Sequence, residues 1–71
     1  MYALKINDLY FIFDIVGYYG FYKTINDVDI KILDYNQVLT YYIETNSEKI
    51  YIEKYSDFLF KICKNYLNFH L

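Results

Sequence analysis

The sequence predicts an α+β fold, a single small domain spanning residues 1–71 in the order αβββα, with a three-stranded antiparallel meander packed on one face by helices. Three observations carry that expectation. Between Asp27 and Tyr55 three runs alternate in polarity, two links rich in Asn, Asp and Ser separate them, and a helical apolar stripe lies near each end of the chain.

Residues Met1–Ile6 lack the basic start, long apolar run and small-residue cleavage site of a signal peptide, so they are read as part of the mature fold. Asn7 and Asp8 offer an N-cap for a helix over about 8–17, in which Leu9, Ile12, Phe13 and Val16 follow the i, i+3, i+4, i+7 rule. The same run is rich in Tyr, Phe, Ile and Val, which favour strands, and a strand over 9–16 stays open as the competing reading. Asp14 is the only charge from Leu9 to Tyr22, and a carboxylate in such surroundings needs a donor, for which a Tyr hydroxyl is the best candidate.

Gly17-Tyr18-Tyr19-Gly20-Phe21-Tyr22 places four rings around two glycines. Its simplest role is to close the first helix and turn the chain into the next strand. The alternative is an aromatic loop in which Tyr18, Tyr19, Phe21 and Tyr22 insert into a partner, because tyrosine gives large contact area at low entropic cost.

In the meander Val28, Ile30 and Ile32 alternate with Asp27, Asp29 and Lys31. Leu39, Tyr41 and Ile43 alternate with Val38, Thr40, Tyr42 and Glu44, and Ile50 and Ile52 with Lys49, Tyr51 and Glu53. Asp34-Tyr35-Asn36-Gln37 and Thr45-Asn46-Ser47-Glu48 then serve as hairpin loops. This arrangement gathers Asp27, Asp29, Tyr42, Glu44, Tyr51 and Glu53 on one sheet face, the expected partner-binding surface, and makes Ile43 and Ile52 core. Ser56 caps a terminal helix over about 57–69 whose stripe is Leu59, Ile62, Cys63, Tyr66 and Phe69. The core face of the sheet expected beneath it is Val28, Ile30, Ile43 and Ile52.

Composition narrows the function. A domain of this size draws only ~3–5 kcal/mol from one core and usually adds disulfides, a metal or a second subunit. Cys63 is the only cysteine, which excludes an internal disulfide and fits a reducing, cytoplasmic setting in a host cell. Eleven Tyr and six Phe stand in for the missing staples, and 56% hydrophobic residues in so short a chain point to self-association as a homodimer. Nine acidic residues against seven lysines, with no arginine, argue against direct nucleic-acid binding. The apolar stretch around residues 9–16 is too short to span a membrane. One His and one Cys near the C-terminus make no catalytic set: Cys63 reads as a small buried residue and His70 as a frayed, solvent-facing end, so neither enzyme activity, a metal nor a cofactor is expected.

The order αβββα, with Ile6-Asn7-Asp8-Leu9 opening the first helix, resembles small phage-encoded anti-CRISPR proteins of the type II class. The resemblance implies a non-enzymatic inhibitor that occupies a basic, nucleic-acid-binding surface of a host defence protein such as a CRISPR nuclease. The alternative from composition is a structural homo-oligomer that buries its excess aromatic surface against its own copy.

Overall fold

The computed structural model describes residues 1–26, 28–46 and 54–70. Four strands come first, β1 (Tyr2–Ile6), β2 (Leu9–Phe13), β3 (Tyr18–Tyr22) and β4 (Lys31–Asp34), followed by two helices, α1 (Tyr35–Thr45) and α2 (Tyr55–His70). The class is α+β, as expected, but the order of elements among the described residues is ββββαα. The sheet is mixed, in the order β3-β2-β1-β4. β1–β2 and β2–β3 are antiparallel and β1–β4 is parallel. An antiparallel meander is therefore present, but residues 2–22 make it, upstream of the stretch expected.

The expected helix over 8–17 is replaced by a hairpin and its second strand. Asn7 has φ 52°, a left-handed conformation that Asn tolerates, and Asn7-Asp8 form a two-residue loop that sets Ile6 opposite Leu9. Helical spacing misleads in this stretch because β2 is apolar on both faces. Phe11 and Phe13 are fully buried beneath the helices, and Ile12 is buried on the opposite side. A strand covered on both faces loses its period of two.

The second expected strand is also a helix. Tyr35, Val38, Leu39 and Tyr42 stand at i, i+3, i+4 and i+7, and this stripe faces the core, with Val38 and Tyr42 buried. Asp34, expected in a hairpin loop, is the N-cap of α1: its carboxylate accepts a hydrogen bond from the Gln37 amide at 3.1 Å. Ile43, expected in the core, is 65% exposed on the far side of α1, and Val28 is 97% exposed in the turn before β4. Of the first alternating run only Lys31–Asp34 is a strand, and there Leu33 is buried while Ile32 points away. The third run, with Ile50 and Ile52, lies outside the described residues.

The terminal helix matches its expectation closely. It starts two residues early, Phe58 N donating to Lys54 O at 3.2 Å, so that Ser56 lies inside the first turn. Leu59, Ile62 and Cys63 are buried against Leu4, Phe11, Phe13 and Leu33. Tyr66 is half-buried, and the stripe ends before Phe69, which is exposed. Ring contacts run through the core: Phe11 stacks on Phe13 with centroids 6.0 Å apart, Phe13 on Tyr2 at 5.4 Å, and Phe60 of α2 meets Phe13 edge-on at 6.2 Å.

The other face of the sheet is covered by chain instead of helix. β3 and β4 lie on opposite edges, and the connection between them brings Thr24, Ile25, Asn26 and Ile30 over the sheet to line a shallow groove with Met1, Ile12, Tyr19 and Tyr22. This cover accounts for the burial of Ala3 and Ile12 on the face opposite the helices.

Candidate functional site

The acidic tyrosine face read from the sequence is not formed among the described residues. Tyr42 turns into the core, where burial raises its phenol pKa. Glu44 is exposed on α1, and Asp29 sits in the turn before β4, so neither lies on a strand. Asp27, Tyr51 and Glu53 lie outside the described residues. The face depended on residues 38–44 being a strand, and their helical spacing removes it.

The aromatic stretch has a different fate. Tyr18, Tyr19, Phe21 and Tyr22 form no loop: they make up β3 with Gly20, at the edge of the sheet. All four rings remain exposed, Phe21 at 40% and Tyr19 at 56%. Tyr10 pairs with Tyr22, Phe11 with Phe21, Ile12 with Gly20 and Phe13 with Tyr18. Tyr19 is thus the extra residue of a β-bulge, which Gly20 accommodates at φ 123°. On the helix side Phe21 packs on Phe11 and stacks on Tyr55 at 6.4 Å, and the Tyr18 hydroxyl donates to Asp57 Oδ1 at 2.7 Å, which raises the Tyr18 pKa.

The β2–β3 turn is Asp14-Ile15-Val16-Gly17, with Asp at the first and Gly at the last position. Asp14 N donates to Gly17 O at 2.8 Å, and Asp14 Oδ1 accepts from Val16 N at 2.7 Å and Gly17 N at 3.0 Å. Its other oxygen accepts the Tyr19 hydroxyl at 2.5 Å, the tyrosine donor expected from sequence. These bonds, with that from Tyr19 first among them, hold the Asp14 carboxyl below the usual carboxylate range, and the same bond raises Tyr19. Between the two fixed ends Ile15 and Val16 project into solvent, 73% and 87% exposed. Sequence reading placed Val16 in a helical stripe and missed the pair. The signal available was the Asp-x-x-Gly turn spacing.

No family model, curated protein or solved structure matches this chain. Its surfaces must therefore be read on their own chemistry.

That chemistry is apolar and aromatic. Cys63 is fully buried, and desolvation pushes its thiol up to about 12, leaving a side chain that packs and does not react. His70 faces solvent as expected but is not frayed. It occupies the last turn of α2, stacked on Tyr66 at 4.1 Å with Nδ1 3.0 Å from the Tyr66 carbonyl, and Tyr41 meets it edge-on. Among the described residues no group of three His, Cys, Asp or Glu could hold a metal ion, and no helix is long and apolar enough to cross a membrane.

Proposed function

We propose that this protein is a non-enzymatic binding protein that blocks a larger protein by seating the β2–β3 hairpin in an apolar cleft of its target. The observation that carries the reading is the turn at Asp14–Gly17. Two large aliphatic side chains stand in water on a backbone whose shape is already set by Asp14, so little further ordering is required on binding. Full burial of such side chains contributes roughly 1.5–3 kcal/mol each. Tyr18 and Tyr19, immediately after the turn, offer flanking rings with polar tips, the composition of an interface centre.

The αβββα order and the helix start at Ile6–Leu9 that carried the anti-CRISPR resemblance are not features of the fold, so this reading rests on the hairpin and moves the contact from a basic surface to an apolar one. A CRISPR nuclease, the one target named by the sequence reading, serves as the probe. Immobilised wild-type protein and an Ile15→Ser/Val16→Ser double variant are each exposed to the nuclease at low and high salt. Retention by the wild type that survives high salt and is lost in the double variant, with its melting curve unchanged, is the expected result. Equal retention by both proteins, or retention that high salt abolishes, removes the hairpin reading.

A further inference from the structure

We propose that two copies of the chain join through β3, strand against strand and antiparallel about a two-fold axis at Phe21, to make one continuous sheet. The proposal does not rest on the hairpin-tip reading, because Ile15 and Val16 lie beyond the end of β3 and this contact uses its side; the two surfaces share only Tyr19.

Among the described residues β3 has one neighbour, β2, so alternate amides and carbonyls along its other side point outward. Native sheets guard such an edge with charges, proline or very short strands. β4, the opposite edge, is guarded: it has four residues and carries Lys31 and Asp34. β3 has five residues and no charge or proline among them. The bulge at Tyr19 twists only the end nearest the turn, and Gly20–Tyr22 continue in regular register with Tyr10–Ile12.

The side chains fit a second copy of the same strand. With Phe21 on the axis, Phe21 opposes Phe21 of the other copy and Tyr22 opposes Gly20. A side chain at Gly20 would meet nothing within 4 Å, which leaves room for the facing Tyr22 ring to lie across the glycine. The next pair sets Lys23 against Tyr19, so no like charges meet in this register, and a net charge of −2 adds little repulsion between copies. Phe21, Tyr22 and Tyr19, all exposed in the single chain, are then covered together. Such a contact is isologous and closes at two copies, because each β3 has a single outward side.

Sedimentation of the wild-type chain from low to high micromolar concentration tests this, together with Tyr22→Lys, Tyr22→Phe and Phe21→Cys. The expected result is a wild-type dimer that Tyr22→Phe preserves and Tyr22→Lys weakens by about twofold to thirtyfold, two cross-strand pairs being lost per dimer. Phe21→Cys should form a disulfide across the axis under mild oxidation, with the buried Cys63 silent as an internal control. If Tyr22→Lys fails to fold, the cross-link decides alone. A wild-type monomer at high micromolar concentration overturns the proposal. So does a dimer that Tyr22→Lys leaves intact, or a folded Phe21→Cys protein that does not cross-link.

Discussion

Asp14 organises four polar groups around one carboxylate and one amide: the Val16 and Gly17 amides and the Tyr19 hydroxyl on its oxygens, and the Gly17 carbonyl on its own N–H. That this acid would recruit a tyrosine could be read from the sequence, since nothing else near it ionises. Which tyrosine could not, because only a hairpin brings position 19 back over position 14. The bond has opposite pH limits on its two sides. The folded pKa of Asp14 lies below its ordinary 3.8, so its contribution to stability is present above that value and lost as pH falls through the lowered one. The folded pKa of Tyr19 lies above 10.0, so its contribution is present below that value and lost as pH rises through the raised one. An NMR titration should therefore show the Val16 and Gly17 amides shifting at a pH below the ordinary carboxylate range. In Asp14→Asn, Tyr19 should ionise at lower pH than in the wild type, and a tyrosinate absorbance titration unchanged by the substitution would contradict this.

At the scale of elements, α2 was legible because its one-sided stripe, Leu59-Ile62-Cys63, meets a polar opposite face at Lys61 and Lys64. α1 was not, although Tyr35, Val38, Leu39 and Tyr42 have helical spacing. Its Thr, Tyr and Ile residues favour strands, and Leu39, Tyr41 and Ile43 also alternate, so two periods overlay one another in eleven residues. Asp34 and Asn36 deepen the ambiguity, since the same residue types start helices and close hairpins. Two consequences separate the readings. Asp34→Ala should cost about 1 kcal/mol through loss of the cap, with Cα chemical shifts over 36–44 remaining helical. Leu59→Ala and Ile62→Ala should each cost about 2–5 kcal/mol, whereas Ile43→Ala should stay within about 0.5 kcal/mol of wild type. Urea denaturation measures all four, and an Ile43 variant as damaged as the Leu59 variant would restore that side chain to the core.

For the whole molecule, the class was readable and the connectivity was not. One small sheet with helices on it follows from length and the mixture of periods, but the strand order depends on contacts remote in sequence. β4 pairs with β1 about thirty positions away, in parallel, and no local turn signal announces such a partner. The candidate surface was partly visible, since the Gly17–Tyr22 stretch stood out by composition. Its role as an edge strand required knowing that residues 9–13 are extended.

Cys63 gives this fold a built-in clock. It is the only thiol in the chain, fully buried where α2 meets the sheet, and its high pKa keeps it from acting as a thiolate while it stays there. A thiol reagent can reach it only through an opening that separates helix from sheet, so the rate of modification counts those openings. With unmodified protein and an excess of reagent, labelling should be far slower than for a short peptide containing the same cysteine. It should accelerate with urea in parallel with the loss of helical signal, so that the stability of the native chain can be timed without changing one residue.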